Sequence, residues 1–387
     1  MLAVAEALPT TLSTSGIVVG APTVSKARPR TRTPCCETKT FEQFIAVNST
    51  LSPATETEAT ARALVAPGKG ILAADESVPT IEKRFKSIDA PSTEETRRSY
   101  RELLFTTPGL GEFISGVILF DETMRQSASD GTPFVEVLRR QGIVPGIKVD
   151  KGAKDLAGFS EEKITEGLDG LRGRLAEYKQ LGARFTKWRT LITIGTAIPT
   201  GTCLETNAHA LARFAALSQE AGLVPIVEPE VLMDGEHAIE RHFETTETML
   251  KLVFTALFQH RVRLEAMLLK PNMVLSGKKC PEQADVETVA KMTLRCLLRT
   301  VPAAVPGIVF LSGGQSPVQA TKHLNALNQL GTAPWQLSFS FGRALQEPAL
   351  TNWKAQTANL SAAQRALHHR AQCNSAARYG KYRGEAH

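Results

Sequence analysis

Apolar residues along this chain fall into two alternating patterns. After Gly70, eight short apolar runs recur, at 70–76, 113–120, 143–150, 183–194, 223–231, 265–274, 305–313 and 336–343. Most are separated by segments whose apolar positions follow a helical period. Leu211, Phe214, Leu217 and Ala221 form one such stripe, with Gly222 as its stop. Val318, Leu324, Leu327 and Leu330 with Gly331 form another. A third is expected from Ser160 as N-cap, with Phe159 and Ile164 as a hydrophobic staple, through Leu168, Leu171, Leu175 and Leu181 to Gly182. Strands alternating with helices pair in parallel, and eight such units predict a (β/α)8 barrel. A doubly wound open sheet is the alternative, but no GxGxxG accompanies it.

Polar residues within the runs carry the functional signal. They cluster at the C-terminal ends with a period of two, so each pair points to one face of its strand. The first run ends in Asp75. The third has Lys148 and Asp150, the fourth Lys187 and Arg189, the fifth Glu228 and Glu230. The sixth has Lys270, the seventh Ser312, Gly313 and Gly314, the eighth Arg343. Barrel enzymes build their sites at that end, so a shared polar pocket is expected.

Lys270 is the most informative member. It follows an apolar run and precedes Pro271-Asn272, which places it where a buried strand gives way to a loop. Burial favours the neutral amine, and a neutral amine is a nucleophile for a carbonyl. The alternative is a lysine whose ammonium reaches out past the strand end. Lys148, Lys187, Arg189 and Arg343 are read as cations in excess of their acids, which suits an anionic substrate. In the seventh run LSGGQSP offers backbone N–H groups to a phosphate, and Ser316-Pro317 opens a helix beside it. Asp75, Glu228 and Glu230 supply proton carriers.

Composition narrows the classes. The chain has 387 residues, 42% apolar and 22% charged, enough for one large barrel domain. No apolar run is long enough for a membrane span. The charge of +6 divides unevenly: Lys26, Arg28, Arg30 and Arg32 face only Glu6 up to Cys36, and the remainder carries 41 basic against 38 acidic residues. That body offers no basic stripe for nucleic acid. Six cysteines without a CxxC pair argue against a disulfide framework, and no Cys/His cluster supports a metal; His237 and His242 read as ordinary helix and helix-edge residues. LSGGQ also occurs in ABC-type ATPases, but no GK here is followed by Ser or Thr, as a phosphate loop requires. Asn48-Ser49-Thr50 is a sequon with no secretory signal to give it meaning.

The expected layout is an extension over 1–38, a barrel domain over 39–365 and a flexible tail over 366–387. The extension is rich in Ser, Thr, Ala, Val and Pro, poor in acids, and closes on KARPRTR. It reads as a transit peptide, for a plastid rather than a mitochondrion, with a cytoplasmic protein as the alternative. Short helical pieces are expected at 41–46 and 56–66.

GKGILAADES, GIKVDKG, FTKWR, VPIVEPEVL, LLKPNMV, FLSGGQS and SFSFGRAL stand in order along the chain. They resemble the successive signatures of class I fructose-bisphosphate aldolases. The resemblance implies reversible cleavage of fructose 1,6-bisphosphate to dihydroxyacetone phosphate and glyceraldehyde 3-phosphate, through an imine, with no metal or other cofactor, in a homotetramer. By motif, Lys270 would form the Schiff base, Glu228 would serve carbinolamine formation and dehydration, and Asp75 would take the C4-hydroxyl proton. Lys187 would lie at the reacting centre, supported by Glu230 and Arg189. Ser312, Gly313, Gly314 and Arg343 would hold the 1-phosphate, and Ser77, Thr80 and Lys148 the 6-phosphate, with Arg84 and Arg97 as further substrate contacts. A transaldolase would share the lysine but not both phosphate clusters, and a binding-only scaffold would not need Lys270, Glu228 and Asp75 together. Thr80 and Phe341 depart mildly from the family, which more often has Ser and Tyr there. The chain closes on Glu385-Ala386-His387 where many relatives have a terminal tyrosine, which implies a lower ratio of bisphosphate to monophosphate turnover.

Overall fold

In the computed structural model, which describes residues 53–331 and 333–385, eight parallel strands close into a barrel. The 1–38 extension, the 41–46 helix and the sequon lie outside the described residues. In chain order the strands are β1 (Gly70–Ala74), β2 (Ile114–Leu119), β3 (Val144–Lys148), β4 (Ala153–Asp155), β5 (Lys163–Thr165), β6 (Phe185–Ile192), β7 (Val224–Val231), β8 (Leu268–Leu269), β9 (Gly307–Phe310) and β10 (Gln336–Phe341). The barrel order is β1-β10-β9-β8-β7-β6-β3-β2. Each of the eight expected runs contains one barrel strand. The remaining pair, β4 and β5, forms a small antiparallel hairpin outside the barrel.

Strand alternation divides the core in two. Leu72, Val117, Ile147, Trp188, Val227, Leu269 and Phe310 face outward and pack under the surrounding helices. Ile71, Ala73, Ile118, Phe185, Val224, Ile226, Leu268 and Val309 face inward and form a separate cluster with Ala61, Leu64 and Val65. Ala61 and Leu64 come from helix Pro53–Leu64, close to the expected 56–66 piece, so this helix plugs the N-terminal mouth. Phe185 fills the centre. A Cβ added at Gly146 would lie 2.3 Å from its ring, so only glycine leaves room there.

The third expected helix starts later than its spacing implies. Ile164 lies in β5, opposite Lys154 of β4, and the helix runs only over Leu171–Gln180 from Gly170. Glu161, Gly167 and Gly170 have positive φ, which breaks any helix begun at Ser160. The stops at Gly182, Gly222 and Gly331 stand as expected. The expected boundary at residue 366 falls inside helix Leu360–Arg378, whose Leu367, Ala371 and Ala377 are fully buried. Among the described residues no helix is long and apolar enough to cross a membrane.

Candidate active site

The inward face changes character along each strand. Phe185 is followed two residues on by Lys187 and then Arg189; Val224 and Ile226 are followed by Glu228 and Glu230; Leu268 is followed by Lys270. Register then brings these side chains together. Lys148 is the neighbour of Lys187 on β6, and Arg189 is the neighbour of Glu228 on β7. Leu269 pairs with Val227, so Lys270 falls one step on, beside Glu228.

Lys270 is held by a deliberate end to its strand. Its N–H donates to Val227 O at 2.8 Å, and Pro271 then removes the next donor. Asn272 continues the tie through its side chain, whose Oδ1 accepts from Val231 N–H at 2.9 Å and whose amide donates to Thr246 at 3.1 Å. The ammonium therefore projects into the barrel from a fixed backbone. Its side chain is 4% exposed.

Four charges of alternating sign meet there. Lys270 Nζ lies 3.2 Å from Glu228 Oε1, and Lys187 Nζ lies 3.1 Å from Glu228 Oε2. Lys187 Nζ also lies 2.6 Å from Asp75 Oδ2. Burial alone pushes the Asp75 carboxyl up, but the ammonium groups of Lys187 and Lys270 outweigh it and hold the carboxyl well below the usual range. Glu228 is lowered by the same contest, with Arg189 adding to the two lysines. Burial pushes Lys187 down, yet Asp75 and Glu228 hold it above an ordinary lysine. The buried Glu228 Oε2 makes no aligned hydrogen bond and meets Lys187 only as an ion pair.

The cavity above this ladder has a volume of about 700 Å³, within the usual range for small-molecule sites. Eight basic and six acidic side chains line it. Asp75, Ser77, Thr80, Arg84, Lys148, Lys187, Arg189, Glu228, Glu230, Lys270, Ser312, Gly313, Gly314 and Arg343 all contribute. Arg97 does not: its guanidinium is locked to Glu122 through two bonds at 2.7 and 2.8 Å, beside the barrel rather than in it.

Reading the cations as unpaired also needs correction. Lys148 binds Asp150 at 2.5 Å, Lys187 binds two carboxylates, and Arg189 binds Glu230. Charges taken this far from water require partners, and β7 supplies Glu228 and Glu230 while the residues just after β1 and β3 supply Asp75 and Asp150. Arg343, the first residue of helix Arg343–Trp353, forms no ion pair among the described residues. Gly313 and Gly314 have φ of +54° and +101°, and the helix after them is capped by Ser316, whose Oγ accepts from Gln319 N–H at 3.2 Å.

Two features escape sequence reasoning. Lys278, in an aperiodic loop, reaches the rim and pairs with Asp234 at 2.7 Å. Buried Glu76 ties Arg84 at 2.5 Å, Arg101 at 2.8 Å and Gln346 at 2.9 Å, which fixes Arg84 at the cavity wall. The one sequence signal was a second acid beside Asp75. Of the two expected helix histidines, His242 is buried with both ring nitrogens used, against Val231 O and Leu275 N–H at 3.2 Å each.

A family model described as fructose-bisphosphate aldolase class-I matches residues 56–387. The chain is 60% identical to a probable fructose-bisphosphate aldolase class 1 of Xanthomonas campestris pv. campestris over 326 residues, 84% of this chain and 98% of the relative. It is 54% identical to a cytosolic fructose-bisphosphate aldolase of Arabidopsis thaliana, covering 83% of this chain and 89% of that one. A solved fructose-bisphosphate aldolase of Plasmodium falciparum, in complex with TRAP and a small-molecule inhibitor, superposes with a TM-score of 0.85 at 51% identity. That match covers 86% of this chain and 96% of the other.

Proposed function

Because the chain belongs to the class I fructose-bisphosphate aldolase family, we propose that Lys270 is the amine through which it performs the family's reaction. The enzyme is a metal-independent lyase: it cleaves fructose 1,6-bisphosphate reversibly to dihydroxyacetone phosphate and glyceraldehyde 3-phosphate by way of a lysine Schiff base. The observation that carries the assignment is Glu228, buried, with one oxygen on Lys270 and the other beside Lys187.

In this reading Glu228 takes the proton that Lys270 must lose before attacking the C2 carbonyl. It returns a proton to the hydroxyl that departs when the carbinolamine dehydrates. Asp75, ionised at neutral pH, takes the C4-hydroxyl proton as the C3–C4 bond breaks. The protonated imine holds the electron pair left on C3, so no metal is required to stabilise it. Lys187 stays an ammonium and keeps both carboxylates aligned, while Arg189 and Glu230 brace the wall. Ser312, Gly313, Gly314 and Arg343 hold the 1-phosphate, and Ser77, Thr80, Arg84 and Lys148 the 6-phosphate. Two anchored ends place the reacting carbons over the lysine.

Borohydride trapping with dihydroxyacetone phosphate in EDTA, followed by peptide mass mapping, tests the assignment. An adduct on Lys270 is expected; an adduct on another lysine would move the site. In the same reading, residues 1–38 are a plastid transit peptide, the domain that follows runs through helix Leu360–Arg378, and the enzyme is a homotetramer. An amino terminus near residue 39 in protein isolated from plastids supports the import reading; an intact terminus in the cytosol supports the cytoplasmic one. Light scattering reads the assembly.

A further inference from the structure

Helix Leu360–Arg378 presents His369 and Cys373 four residues apart, hence on one face. The chain then folds back. Tyr382 N–H donates to Asn325 Oδ1 at 2.9 Å, and Glu385 arrives over that same face. His369 Nε2 lies 2.9 Å from Glu385 Oε2, Cys373 Sγ lies 3.5 Å from His369 Nε2, and Cys373 Sγ lies 4.0 Å from Glu385 Oε2. One nitrogen, one sulfur and one carboxylate oxygen thus converge within 4.8 Å of one another.

These separations can be set against coordination chemistry. Tetrahedral zinc bond lengths place N, O and S ligand atoms ~3.4–3.7 Å from each other. The nitrogen–sulfur distance already fits. The nitrogen–oxygen pair opens by about half an ångström when an ion replaces their shared proton, and the sulfur–oxygen pair closes slightly. The other Glu385 oxygen is occupied: Oε1 takes the Tyr382 hydroxyl at 2.5 Å and the Arg370 guanidinium. Arg370 is itself fixed, donating to Pro317 O at 2.9 Å and to Thr321. A carboxylate steered by one oxygen so that the other points at a nitrogen and a thiol has the outer support that metal-ligating carboxylates usually have.

We propose that His369 Nε2, Cys373 Sγ and Glu385 Oε2 form a structural site for a zinc-like divalent cation, with water completing the tetrahedron. The mixed N, S, O donor set selects zinc or cobalt over magnesium or calcium, which take oxygen ligands. The His369 and Glu385 side chains are 43% and 29% exposed, so the ion reaches the site from solvent. On binding, the Cys373 thiol releases its proton to water and the sulfur donates an electron pair to the metal; nothing is oxidised or reduced. The ion fastens the chain beyond residue 378 onto the last helix. None of the three ligands lines the barrel-end cavity, so this ion has no part in aldol cleavage.

The test is titration of metal-stripped full-length protein with Co²⁺ alone, followed by displacement with Zn²⁺. One saturating equivalent is expected, with a thiolate-to-cobalt charge-transfer band. The band should vanish in C373S, and binding should be lost in H369Q and weakened in E385Q. H369Q alters a half-exposed position and serves as the folded control if C373S melts early. Limited proteolysis beyond residue 378 should slow when the ion is bound. No saturable binding, or a band that persists in C373S, overturns the proposal. Cleavage activity of the same stripped samples reports on the barrel site separately, and Co²⁺ should not change it.

Discussion

The two halves of the barrel interior are built from the same face of the same strands and do opposite work. In the N-terminal half, Ile71, Phe185, Val224, Ile226, Leu268 and Val309 close over Leu64 in a dry plug. One or two steps along, the same face carries Asp75, Lys187, Glu228 and Lys270, also nearly buried. Burying Phe185 contributes about 2–3 kcal/mol. The charge ladder contributes far less for its size, since desolvating paired ions roughly offsets their attraction. Stability resides at one end of the barrel, and the other end holds charges whose cost the plug underwrites.

Replacing Lys270 sharpens this contrast most. K270M should abolish imine trapping and reduce cleavage below detection, yet melt within a few degrees of the parent, since methionine fills similar volume. A large fall in melting temperature would instead make Lys270 structural. E228Q should lower kcat by about a hundredfold or more, as loss of a positioned acid–base group does, with the fold intact. At the other end, G146V drives two methyls into the Phe185 ring and should destabilise by about 1–3 kcal/mol, with kcat unchanged in the folded fraction. Pairing it with F185L should recover part of that loss in a double-mutant cycle.

Acid titration distinguishes the halves in another way. The Asp75 and Glu228 carboxyls are lowered on folding, so their stabilisation is complete above the unfolded values near pH 4 and is lost as pH falls through the folded ones. Lys187 is raised, so its share is complete below about pH 10 and is lost at higher pH. Stability in urea melts should therefore fall above about pH 10, and on the acid side from about pH 6.5 downward, because burial holds His242 and His323 neutral with pKa values lowered to about 3 and about 4. D75N should flatten only the part of the acid limb below about pH 4. The smallest effect is expected at Arg97: R97A should leave KM for the bisphosphate unchanged, because its guanidinium serves Glu122.

The barrel was legible because burial on both faces leaves short apolar runs that alternate eight times with helical segments, and because two-residue periodicity marks which side chains share a face. The same logic exposed Lys270, Glu228, Lys187 and Asp75, charges lodged where only a pocket explains them. Local pattern failed where a local rule was overruled. Ile164 keeps helical spacing with Leu168 and Leu171, yet strand pairing and positive-φ residues claim it. Arg97 resembles a ligand until Glu122, distant in sequence, meets it.

Sequence alone determined the element order, the inward-facing chemistry and the strand that ends in a lysine, since these depend on neighbours along the chain. Only the tertiary structure decided which carboxylate meets which ammonium, that Glu76 anchors Arg84, and that Glu385 returns to His369 and Cys373. Pairing of charges depends on strand register and helix placement, and those are set by packing across the whole molecule.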